Sequence, residues 1–66
     1  MPRGTTHTIE GLLLVGSIYP VIRADGGGQW RLDLPRRLRS LIGRRVRVSG
    51  IRSGFDMLDV TEGELL

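Results

Sequence analysis

The side chains with the most chemical potential in this chain are its arginines. All ten basic residues are arginine, whose planar fork of donors matches phosphate and carboxylate oxygens in a way lysine does not. Seven of them (Arg36, Arg37, Arg39, Arg44, Arg45, Arg47 and Arg52) fall in one segment with no acid between them. The residues that follow carry Asp56, Asp59, Glu62 and Glu64 and no base. A net charge of +3 therefore hides a basic block followed by an acidic one. Such a block is either a surface for an anionic partner or a solvated basic face in a protein of arginine-rich composition.

Catalytic constellations are absent by comparison. There is no cysteine, and His7 is the lone histidine, with no evident partner at this level. Asp56 and Asp59 do not fall on one strand face, nor in an apolar stretch that would lift a carboxyl pKa. Gly26-Gly27-Gly28 reads as a turn, because no helix follows it to hold a phosphate. The expectation is a non-enzymatic protein with no cofactor and no metal. Leu12 to Val15 is too short to cross a bilayer, and the first residues lack the apolar core of a signal peptide. A cytoplasmic protein without a membrane partner is expected.

The elements that must position the arginines follow from hydrophobic period. Sixty-six residues make one small domain, whose core must be aliphatic because disulfides are excluded. Strands are expected over 8–16, 21–25 and 29–34, with Gly11 allowing the first to bend. In the third, Trp30, Leu32 and Leu34 alternate with Arg31 and Asp33, so the apolar set faces inward. Only an odd loop puts Ile22 and Ala24 on that same face. A three-residue turn over Gly26-Gly27-Gly28 would pair Ala24 with Trp30 and Arg23 with Arg31. The same rule gives the last hairpin a loop of Arg52-Ser53-Gly54, pairing Val48 with Leu58, Arg47 with Asp59 and Ile51 with Phe55. Between the hairpins, Pro35 at a first helical position and Gly43 as a left-handed cap bound a short helix. Its apolar face is Leu38, Leu41 and Ile42.

Three strands, a helix and two strands in so short a chain is the order of an oligonucleotide/oligosaccharide-binding (OB) barrel. The expected fold is thus mainly β: a five-stranded OB-like barrel over residues 8–62, with one short α-helix between strands 3 and 4. Residues 1–7 are expected to be flexible and 63–66 frayed. The runs Asp25-Gly26-Gly27-Gly28-Gln29-Trp30-Arg31-Leu32-Asp33, Leu41-Ile42-Gly43-Arg44-Arg45-Val46-Arg47-Val48-Ser49-Gly50, and Gly54-Phe55-Asp56 to Val60 resemble small bacterial OB-like domains. More narrowly, the chain is similar to a group of uncharacterised short arginine-rich proteobacterial proteins. The resemblance implies a fold and carries no activity with it.

An OB barrel commonly binds across the outer face of strands two and three. Here that face would show Arg23 and Arg31, flanked by loop aromatics Tyr19 and Phe55, a pattern suited to single-stranded DNA or RNA. Asp33 and Asp25 lie diagonal to the two arginines in the expected register, so a self-satisfied charge checkerboard is the competing reading. Arg36, Arg37, Arg39, Arg45 and Arg52 would extend the basic surface. Phosphate at Arg36 and Arg37 would also meet free amides of the first helical turn. Ile51, Phe55 and Met57 form an outward apolar set that could stack bases, join a homodimer or protein partner, or pack beneath a loop. The leading expectation is a weak, sequence-tolerant binder of single-stranded nucleic acid; the alternative is a self-associating or protein-interaction barrel.

Overall fold

The computed structural model describes residues 4–66. Five strands and one short helix follow in the order β1 (Thr6–Leu14), β2 (Val21–Ala24), β3 (Gln29–Asp33), a 3-10 helix (Arg36–Leu41), β4 (Arg45–Arg52) and β5 (Met57–Leu65). The sheet closes on itself in the order β1-β2-β3-β5-β4, with β3 and β5 parallel and every other neighbouring pair antiparallel. Closure leaves no free sheet edge in a chain with little surface to spare.

Strand β1 makes closure possible by serving two neighbours. Its residues Thr6–Leu12 pair with β4 and its residues Gly11–Leu14 pair with β2. Gly11 belongs to both ladders. A Cβ there would collide with the Arg23 carbonyl oxygen, so the position tolerates only glycine for reasons of approach rather than of backbone angle.

The interior is entirely aliphatic. Leu13, Ile22, Leu32, Leu58, Val46 and Val48 have almost no exposure, and Ile9, Leu34, Leu38 and Val60 complete the core. Burying each of the larger ones contributes roughly 1.5–3 kcal/mol. No polar or charged side chain is buried among the described residues. The alternation expected from sequence places these side chains inward, and Ala24, Trp30, Leu41 and Ile42 pack half-buried against them.

Registers differ from expectation while the inward faces persist. In the first hairpin Ile22 pairs with Trp30 and Arg23 with Gln29. The three-residue loop is Asp25-Gly26-Gly27, closed by hydrogen bonds from Ala24 N–H to the Gly28 carbonyl and from Gly27 N–H to the Ala24 carbonyl, both 3.0 Å. Gly27 and Gly28 both carry positive φ, 105° and 80°, and this moves the turn along by one residue. A shift of partner by two keeps every side chain on its face. In the second hairpin Ser53 N–H bonds to the Met57 carbonyl at 2.9 Å, so the loop is Gly54-Phe55-Asp56. Gly50 pairs with Val60, and beyond an irregularity at Ser49/Gly50 Val48 pairs with Gly63. Thr61 is the extra residue of a bulge. Ile51 accordingly faces Asp59 rather than Phe55, and Arg47 faces Glu64 rather than Asp59.

Strand pairing extends beyond residues 8–62 on both sides. Thr6 and His7 pair with Ile51 and Gly50, while Gly63, Glu64 and Leu65 pair with Val48, Arg47 and Val46. The bulge supplies the reason at the C-terminus, because it returns the strand to register after two outward residues. The expected flexibility of residues 1–3 lies outside the described residues.

The helix lies between β3 and β4 as expected, but it is a 3-10 helix and not an α-helix. Its bonds run over three residues, from Leu38 N–H to the Pro35 carbonyl (2.9 Å) and from Ile42 N–H to the Arg39 carbonyl (3.2 Å). Pro35 precedes the first turn in an extended conformation, with no side-chain cap and no acid in that turn. Two arginines at an uncapped start disfavour an α-helical turn. Gly43 ends the segment at φ 93°. Leu38 is buried, closing the end of the ring where β3 finishes and β4 begins. No helix among the described residues is long and apolar enough to cross a membrane.

Candidate nucleic-acid interface

The opposite end of the ring is where β1 begins, β3 begins and β4 finishes. His7, Trp30 and Arg52 occupy inward positions at those strand ends, so they meet at the opening instead of entering the core. The His7 and Trp30 rings lie 5.3 Å apart between centroids, tilted by 43°. The Arg52 guanidinium carbon stands 6.0 Å from the Trp30 ring centre and 5.9 Å from that of Phe55, at the outer limit for a cation–π contact. Trp30 is thus half-buried at the rim, where alternation alone put it in the dry interior. Trp30 is in the first turn of side chains at the opening, where His7 and Arg52 are its ring neighbours.

Arg52 also fixes the loop between β4 and β5. Its Nε donates to the Gly54 carbonyl at 2.9 Å and its Nη2 to the Phe55 carbonyl at 2.8 Å. The loop is tied a second time by Arg31, which donates from Nε and Nη2 to Asp56 Oδ1 at 3.1 and 2.8 Å. Between these two clamps Phe55 projects outward with 88% of its surface exposed. An aromatic ring held on a pinned backbone and left uncovered is a ready stacking surface.

Two depressions border this aromatic group. One, lined by Gly4, Thr5, Arg52, Ser53, Gly54 and Phe55, lies along the loop. The other opens between the first half of β1 and the β2–β3 turn, with Trp30 in its wall. The β1–β2 ladder ends at Gly11 and Ala24, one further bond ties Asp25 N–H to the Glu10 carbonyl at 2.9 Å, and before Glu10 β1 pairs with β4 alone.

The arginines divide into two populations. Arg31 bonds Asp56, Arg45 reaches across β1 to Asp25, and Arg47 bridges Glu10 and Glu64 at 2.7 and 3.2 Å. The hydrogen bond and charge of Glu10, with Glu64 adding to them, raise the Arg47 guanidinium further above its already high range. These pairs are exposed, and exposed pairs stabilise little. Their main effect is to remove three arginines from the basic surface. Arg37 donates to the Thr61 carbonyl at the bulge, 2.9 Å. Arg23, Arg36, Arg39 and Arg44 have no carboxylate partner among the described residues.

These placements correct several expectations. Arg23 and Arg31 are not opposed: Arg23 faces Gln29 and Arg31 faces Val21, so the checkerboard with Asp25 and Asp33 does not form. Tyr19 is on the β1–β2 loop at the helix end of the ring and does not join Phe55. Arg36, Arg37 and Arg39 are also at that end, and a six-residue 3-10 helix has little dipole to offer a phosphate. Between the two ends, Asp33 and Asp59 stand side by side on the outer face. Ile51 and Phe55 are exposed, but they are not partners across the hairpin, and Met57 is half-buried opposite Arg31. Sequence reasoning missed His7 and Trp30 as surface groups. The available signal was that His7 shares the inward parity of Ile9, Gly11 and Leu13, so it had to reach the ring opening.

The described residues contain no group of three or more His, Cys, Asp or Glu side chains placed to hold a metal ion. What the elements define is a small all-β ring, stoppered at one end by a short helix and rimmed at the other by aromatic rings and arginine. The chain belongs to the family described as a protein of unknown function, DUF5818, whose model matches residues 10–65. That match takes in Trp30, Arg52 and Phe55 and stops short of His7. No curated protein and no solved structure matches the chain.

Proposed function

We propose that this protein is a non-enzymatic, OB-like barrel that binds single-stranded nucleic acid weakly and with little sequence preference. The ring opening is its contact surface, and the cytoplasm is its place of work. The carrying observation is Phe55, 88% exposed on a loop clamped by Arg52 beside Trp30. Bases would stack on Phe55 and on the part of Trp30 that lines the neighbouring depression, since any base has a face to offer. Arg52 and Arg23 would meet phosphate near the opening, with Arg36, Arg39 and Arg44 adding attraction at longer range.

Titration of a fluorescent single-stranded dT oligonucleotide at several salt concentrations tests this. Three or four phosphate contacts give a log–log slope of about −2 to −3. Absence of binding at low salt overturns the reading.

A second reading, self-association, draws on the exposure of Ile51 and Phe55 together with Val15 and Ile18 on the other end. Sedimentation separates the two: a Phe55-dependent dimer favours association, and a monomer at high concentration removes it.

A further inference from the structure

We infer that the depression beside Trp30 reads one base of the bound strand and prefers guanine to thymine or uracil there. This rests on the nucleic-acid reading above and adds a preference at one position to a contact otherwise indifferent to sequence.

The depression has a volume of ≈ 400 Å³, within the range of small-molecule sites. Trp30 gives it an aromatic wall, and its charged lining residues are Glu10 and Asp25 with no arginine among them. Both carboxylates are held from outside the depression. Arg45 bonds Asp25 through Oδ2, and Arg47 bonds Glu10 through Oε2 at 2.7 Å. Asp25 Oδ1 and Glu10 Oε1 have no hydrogen-bond partner among the described residues. The arginines thus orient the carboxylates while leaving each an accepting oxygen. The Thr8 hydroxyl is occupied with Ser49 at 3.1 Å, and the Asp25 N–H with the Glu10 carbonyl at 2.9 Å.

A base stacked on Trp30 in this setting meets acceptors. Guanine presents two adjacent donors, N1–H and the N2 amine, which suit a carboxylate. Thymine and uracil present one N–H between two carbonyl oxygens, and those oxygens would face carboxylate oxygens. Ionised carboxylates cannot donate, so the mismatch has no remedy by rotation. One well-made pair of hydrogen bonds to a base edge corresponds to about tenfold in affinity.

The one tryptophan in the chain makes the test direct. Quenching of Trp30 fluorescence should saturate with dGMP at about tenfold lower concentration than with dTMP. A dT oligonucleotide carrying one central dG should bind about tenfold tighter than its all-dT counterpart, with inosine, which lacks the N2 amine, in between. The Glu10→Gln, Asp25→Asn double variant should bring the dG to dT ratio to about one, with its melting curve showing it folded. Equal affinity for the two oligonucleotides, or a ratio that survives in the folded double variant, overturns the inference and leaves general binding intact. Failure of both oligonucleotides to bind overturns the underlying reading instead. An oligoarginine peptide binding tighter than either oligonucleotide would reassign the depression to a cationic protein partner and overturn the inference too.

Discussion

Phe55 and Leu58 lie three positions apart and behave oppositely, one almost fully exposed and the other fully enclosed. Hydrophobicity does not separate them; attachment does. Leu58 sits at an inward strand position, whereas Phe55 occupies a loop whose backbone carbonyls are consumed by Arg52. Replacing Phe55 by alanine should therefore leave the melting temperature nearly unchanged, as for other exposed substitutions. It should weaken binding of single-stranded DNA about tenfold in an anisotropy titration, the worth of one lost stack. A large drop in melting temperature would mean that Phe55 serves packing. The residues that form this surface were unevenly visible beforehand. Phe55 and Arg52 could be read from their place beside a turn, but Trp30 could not, because alternation specifies which side of a strand faces inward and not how far along it the interior ends.

Elements show the same division. The strands, their order and the intervening helix were legible because apolar period and Pro/Gly punctuation are local signals. Registers were not, since sliding a strand by two positions leaves every side chain on its face. The Thr61 bulge was invisible for a related reason: an inserted residue in a polar stretch breaks no pattern. Gly11 carries a prediction at this scale. Because β1 passes at Gly11 directly against the backbone of Arg23, Gly11→Ala should destabilise the fold by about 3 kcal/mol, the upper part of the usual overpacking range. Chemical denaturation measures it directly. A neutral result would mean that β1 does not approach β2 this closely.

For the molecule as a whole, charge is segregated by position in the ring. Arg36, Arg39 and Arg44 gather around the stoppered end, while the aromatic rim lies at the other, and Asp33 and Asp59 stand adjacent on the face between them. Neighbouring like charges are unfavourable by roughly 0.2–1 kcal/mol. Those two carboxylates also set a repulsive boundary for any polyanion running the length of the face. The Asp33→Asn, Asp59→Asn double variant should accordingly be slightly more stable. It should also bind oligonucleotides a few-fold tighter, with the gain growing with their length. A length-independent affinity would show that the bound strand never approaches this face.

The double allegiance of β1 has a kinetic corollary. Ring closure requires Thr6 to find Ile51 and Asp33 to find Asp59, encounters between segments far apart along the chain. Hairpins can form early, yet neither encloses the aliphatic interior until these remote partners meet. Refolding after dilution from denaturant should then proceed in milliseconds to seconds, much slower than a helical bundle of equal length. Stopped-flow recording of Trp30 emission would follow the opening as it assembles, and a microsecond phase carrying the full amplitude would place closure before the barrier.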